Sequence, residues 1–130
     1  MPGPDAGGPL AALDACPPRP TPLPGADIAG ADLPPGTIVS AVARGRPLTR
    51  ITGYVPATPV RVREYYQASG LRLLQLEDEI FEAEAFVSNG RTRTYVKVRA
   101  VCDRGSSVIA FVAPEPRSSG LPTPGGSPPG

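Results

Sequence analysis

Between Thr37 and Ala113 the chain alternates apolar and polar residues, broken by one stretch with helical spacing. Ile38 to Ala43 is short, apolar and β-branched, and Arg44-Gly45-Arg46-Pro47 after it supplies turn chemistry. Thr49 to Val55 sets Ile51, Gly53 and Val55 on one side and Arg50, Thr52 and Tyr54 on the other. That is the pattern of a half-buried strand, and Pro56 closes it. A helix follows. Thr58 is its expected N-cap, Pro59 takes the first helical position, where a missing N–H costs nothing, and Gly70 ends it in the left-handed conformation. Val62, Tyr65, Tyr66 and Ser69 fall on one face of this helix.

The next forty residues read as an antiparallel meander. Ser88-Asn89-Gly90-Arg91 is its strongest turn signal, since Asn-Gly tolerates the positive φ angles of a type I′ turn. With Asn89-Gly90 at the centre, Val87 faces Thr92, Ala85 faces Thr94, Ala83 faces Val96 and Phe81 faces Val98 on an apolar side. On the other side Phe86 faces Arg93, Glu84 faces Tyr95, Glu82 faces Lys97 and Ile80 faces Arg99, which includes an opposite-charge pair. A turn at Asp78-Glu79 brings Leu76 to Phe81 and Leu74 to Ala83. A turn at Arg104-Gly105 brings Val98 to Phe111 and Ala100 to Ile109, whereas a glycine bulge there selects Val108, Ala110 and Val112 for the core.

The expected fold is therefore α+β: a curved antiparallel sheet in the order β-β-α-β-β-β-β, with one helix on its apolar face. In outline this resembles cystatin-like, NTF2-like or helix-grip domains, and no motif specific to any of these families is present.

Composition limits how much of the chain joins that domain. Ten of the 19 prolines precede Thr37 and six follow Ala113. Residues 1–36 and 114–130 lack a periodic apolar stripe and are expected to be disordered tails around a single domain over 37–113. Such a domain is small enough to be stable by a narrow margin unless something staples it. The two cysteines offer a staple. Cys16 and Cys102 are either separate thiols, with Cys102 buried, or a disulfide tying the arm to the sheet.

The net charge of +1 conceals an uneven distribution. The first 36 residues carry four aspartates against Arg19, and the middle carries eleven basic and seven acidic residues. A mildly basic core falls short of a nucleic-acid signature. No stretch is apolar enough to span a bilayer as a helix, and Met1 to Ala15 does not read as a signal peptide. Leu13-Asp14-Ala15-Cys16 resembles a lipoprotein cleavage box, so a lipid anchor on Cys16 is an expectation only if a signal precedes Met1. A disulfide favours export or the cell surface, and the chain as written favours the cytoplasm.

With no histidine, the chain has neither a Ser-His-Asp nor a Cys-His arrangement nor a His-based zinc site. P-loop and GxGxxG motifs are absent. Glu77, Asp78, Glu79, Glu82 and Glu84 are the sole carboxylate group that metal or acid–base chemistry could use, and solvated turn and strand positions explain them better. The expectation is a non-enzymatic module without cofactor or metal. Phe86, Arg93, Tyr95, Lys97 and Arg99 on the open sheet face are its candidate contacts with another protein or a second copy. The alternative is a small-molecule or lipid site between helix and sheet, lined by Val62, Tyr65 and Tyr66.

Overall fold

The computed structural model describes residues 8–25 and 28–116. Six strands form one open antiparallel sheet: β1 Ile38–Ala43, β2 Thr49–Val55, β3 Arg72–Asp78, β4 Glu82–Ser88, β5 Thr92–Cys102 and β6 Gly105–Pro114. Their order across the sheet is β1-β2-β6-β5-β4-β3. The single α-helix among the described residues, α1, Pro59–Ala68, carries the chain from β2 to the far edge, where the meander begins. Thr58 caps it by accepting from the Arg61 N–H, Pro59 stands in its first turn, and Gly70 follows with φ +78°. The expected α+β architecture is thus the observed one.

The core lies between α1 and one face of the sheet. Ile51, Val55, Val62, Tyr66, Ala83, Ala85, Val87, Val96, Val98, Val108, Ala110 and Val112 form one buried cluster. Alternate residues enter it, Ala83, Ala85 and Val87 of β4, Val96 and Val98 of β5, and Val108, Ala110 and Val112 of β6, as a period of two requires.

The strand pairing differs from the expected one by two residues. Val87 faces Thr94, Ala85 faces Val96, Ala83 faces Val98, and on the other side Phe86 faces Tyr95, Glu84 faces Lys97 and Glu82 faces Arg99. The cause is the turn. Asn89 N–H donates to the Thr92 carbonyl, which makes Gly90 and Arg91 the central pair. Gly90 has φ +91° and no described non-glycine residue has positive φ, so one glycine at the first central position suffices, as in a type II′ turn. Asn89 acts instead through its side chain, whose Oδ1 accepts from the N–H groups of Arg91 and Thr92. Because the slip is even, each residue keeps its face and only its partner changes.

The neighbouring turns move accordingly. Glu79 N–H donates to the Glu82 carbonyl, so Ile80 and Phe81 occupy the turn and Leu76 faces Ala85 rather than Phe81. Phe81 is therefore partly exposed and not a core residue. Leu74 falls in a β-bulge and has no partner at Ala83. At the other end Cys102 faces Gly105 across Asp103-Arg104, with a bulge at Val101. Val98 thereby meets Val108, and Val108, Ala110 and Val112 point into the core while Ile109 and Phe111 point out.

The arm before Thr37 is part of the domain. Ile28, Ala31 and Leu33 pack against the core cluster. The Asp32 N–H donates to Thr94 Oγ1, Thr92 Oγ1 donates to the Gly30 carbonyl, and the buried Tyr66 hydroxyl donates to the Asp32 carbonyl at 2.6 Å. Burial, then the nearby Tyr65 and Asp32, push the Tyr66 hydroxyl far above its ordinary pKa, so it remains a donor. Farther back Leu23 N–H donates to the Val39 carbonyl on the β1 edge, and Cys16 is joined to Cys102 by a disulfide. Proline and glycine remove periodicity before the expected boundary at Thr37 without preventing these individual side chains from docking. At the other end Glu115, beyond the expected limit at Ala113, is also engaged, and residues 117–130 of the expected tail lie outside the described residues.

Two stability outcomes follow. A Cβ at Gly90 would meet nothing within 4 Å, so Gly90→Val acts on the backbone alone and should cost roughly 1–3 kcal/mol in urea denaturation. Arg91→Val, at negative φ, should be close to neutral; equal costs would move the turn back to Asn89-Gly90. The disulfide links residues separated by 86 positions, which the loop-entropy relation converts to about 4–5 kcal/mol. Cys16→Ser/Cys102→Ser should lower the denaturation midpoint to match the reduced wild type, and an unchanged midpoint would show that the bridge does not hold the arm.

Candidate functional site

The face of the sheet turned away from α1 bears side chains in rows set by the strand register. In one row Phe86, Tyr95 and Phe111 stand side by side on β4, β5 and β6, with Arg50 next on β2. The Tyr95 and Phe111 rings are 6.3 Å apart between centroids, within the range of aromatic contact. The adjoining row is Glu84, Lys97, Ile109 and Thr52, and the next is Glu82, Arg99, Ser107 and Tyr54. All three rings and Ile109 are half-buried by their neighbours.

Most charges on this face are already compensated within the chain. Lys97 Nζ lies 3.7 Å from Glu84 and 3.9 Å from Glu82, and Arg99 Nε lies 3.8 Å from Glu82. Arg99 is nonetheless 71% exposed, so its pairing is a weak surface one. Burial, followed by the charge and hydrogen bond of Glu84 and the charges of Glu77 and Glu82, raises the Tyr95 pKa above its ordinary value. The ring therefore presents a neutral hydroxyl.

Arg93 differs from the other candidates. Its guanidinium donates to Glu115 Oε1 through Nε at 3.1 Å and Nη2 at 2.9 Å, and it stands over the Phe86 ring at 5.9 Å. Glu115 also accepts from Ser88 Oγ at 2.5 Å and from Arg72 at 3.0 Å. Arg93 is thus a fastening between β5 and the end of β6, with only 14% of its side chain exposed.

Three of the carboxylates at the β3–β4 end have partners among the described residues. Asp78 lies 3.5 Å from Arg63 of the helix, and Glu82 and Glu84 share Lys97. No group of three or more His, Cys, Asp or Glu among the described residues is arranged to hold a metal ion.

No family model, curated protein or solved structure matches this chain. Its function has to be argued from the molecule alone. No helix among the described residues is long and apolar enough to cross a membrane.

The sequence-derived candidates divide by location. Phe86, Tyr95, Lys97 and Arg99 share the open face with Arg93, as the alternation requires, whereas Ile80 lies in the β3–β4 turn and Val101 in the β5 bulge. Val62 and Tyr66 are core residues 3% and 0% exposed, and Tyr65 packs against them with its ring 4.9 Å from that of Tyr66. Cys16 and Cys102 meet beside Tyr54, whose hydroxyl is 3.7 Å from Cys102 Sγ. A Cβ on Gly105 would run into that tyrosine and into the disulfide, so the site requires glycine. Sequence reasoning missed Phe111, Ile109 and Glu115. The first two were available from the bulge alternative, while Glu115 sits among prolines with no local signal.

Acid should expose the Glu115 fastening. Its hydrogen bonds from Arg93 and Ser88, with the Arg93 and Arg72 charges, outweigh desolvation and lower its pKa. A carboxylate with a depressed folded-state pKa contributes stability above its unfolded pKa and loses it as pH falls through the folded value. The stability gap between wild type and Glu115→Gln should be constant above the unfolded glutamate pKa of about 4.3 and close as pH falls through the lower folded value in urea titrations. A gap independent of pH would remove Glu115 as a charged anchor.

Proposed function

We propose that this chain is a non-enzymatic binding module that meets another protein, most simply a second copy of itself, through the open face of its sheet. The observation that carries this reading is the row Phe86–Tyr95–Phe111 with Ile109 beside it, half-buried aromatic and aliphatic surface on a face away from the core. A sheet face needed only for solvation has no use for three adjacent rings. The surrounding charges support a protein partner over a polyanion, because Lys97, Arg93 and Arg99 each have a carboxylate within 3.9 Å and leave little net field. In a two-fold pairing the rings would form the buried centre, and the ion pairs would form a rim that sets orientation. The disulfide suits an oxidising setting, so an exported or cell-surface location belongs to the same reading.

Sedimentation velocity across a concentration series tests it. Wild type should show a monomer–dimer equilibrium, and Phe86→Ser/Tyr95→Ser should sediment as monomer while keeping a cooperative melt. A wild type that stays monomeric throughout would overturn the self-association form. Unfolding of the double variant would show that these rings are needed by the fold and overturn the face assignment.

A further inference from the structure

A second surface lies on the opposite side of the sheet, where cover of the core runs out. The β1–β2 loop, the arm at Ile28-Ala29 and the ends of β5 and β6 enclose a solvent-open hollow of about 730 Å³. That is within the size range of small-molecule sites. Its floor is the cross-strand pair Thr49 and Val112, with Ile28 and Ala29 as one wall. Arg44 and Arg46 stand in the loop that forms the other wall, and no carboxylate is among the described lining residues. The two arginines contrast with the ion-paired cations elsewhere on the domain. Arg63, Arg72, Arg93, Lys97 and Arg99 each have a carboxylate within 3.9 Å, whereas Arg44 and Arg46 have none among the described residues.

We propose that this hollow binds a small amphiphilic anion, a carboxylate on a medium-length alkyl chain, with the head at Arg44 and Arg46 and the chain along Ile28 and Val112. The apolar lining, Ile28, Ala29, Pro47, Ala113 and Pro114 with the edge of Val112, accounts for the chain by burial of its methylenes. Two guanidiniums with no partner of their own account for the head, since each presents a fork of donors matched to a carboxylate. The site is distinct from the space beneath α1, where Val62 and Tyr66 are packed in the core.

Titration calorimetry of the full disulfide-bonded chain with decanoate, 1-decanol and decyltrimethylammonium tests it. Decanoate should bind most tightly and the cationic amphiphile least. Arg44→Gln/Arg46→Gln should weaken decanoate about ten-fold and leave decanol unchanged, because only the head loses its partners. Ala29→Trp, at an exposed wall position, should weaken both. Decanoate should also shift the amide resonances of Ile28 and Val112 without altering sedimentation, which separates this site from the aromatic face. The proposal is overturned if decanoate binds no better than decyltrimethylammonium, if the double glutamine variant binds it equally well, or if Ala29→Trp leaves both affinities unchanged.

Discussion

One short helix must cover the inner face of a six-stranded sheet, and it is too small to do so. A 10-residue helix is about 15 Å long and about 10 Å wide, against a sheet spanning about 24 Å between its edge strands. The helix packs on β3, β4 and β5, the half of the sheet that follows it in sequence. The remaining apolar surface has to be covered by a segment with no secondary structure. Ile28, Ala31 and Leu33 of the arm do this, and hydrogen bonds from Tyr66, Thr92 and Asp32 hold the arm in place. The disulfide then has a physical role, because an irregular segment lacks the cooperative ladder that would otherwise retain it.

The same constraint explains which features were legible in the sequence. A strand period of two is a strong signal, so the division of β4 and β5 into an apolar and a polar face survived a mistaken turn. The turn itself was misplaced because Asn-Gly satisfies two geometries. With both residues at positive φ it is type I′; with glycine first and asparagine flanking, it is type II′ with a side-chain cap. Only the tertiary setting chooses, and here Asn89 Nδ2 also donates to Asp32 of the arm. The arm was invisible to periodicity altogether. Ile28, its one β-branched aliphatic residue, was the available clue, since such a residue gains little in a solvated linker.

The candidate surface was legible in part for the same reason. Parity placed Phe86, Tyr95, Lys97 and Arg99 together, but parity says nothing about which charges are free. Arg93 was expected to offer its charge to a partner, and Glu115 takes it from a position beyond the expected end of the domain. Phe111 was assigned to the core by an unbulged turn and belongs to the aromatic row. Both errors lie at strand ends, where one bulge or one distant side chain changes the outcome.

The two proposed surfaces differ in one physical respect, whether charge is balanced locally. On the open face Arg93, Lys97 and Arg99 beside the aromatic row each have a carboxylate close by, so an approaching surface gains chiefly by excluding water from rings. Such a face favours a broad, neutral, shape-matched partner, which describes a protein surface. At the hollow, apolar floor and unbalanced guanidiniums are separated by only a few residues of the β1–β2 loop and strand β2. That combination discriminates by the partner's own charge distribution, and a flat protein face satisfies it less well than a compact molecule with one anionic end. The hollow lies where the arm, having no regular structure, meets the sheet at Ile28, beside the nearly buried Val112 and its half-buried partner Thr49. An incompletely covered sheet is thus the common origin of the tethered arm and of the site beside it.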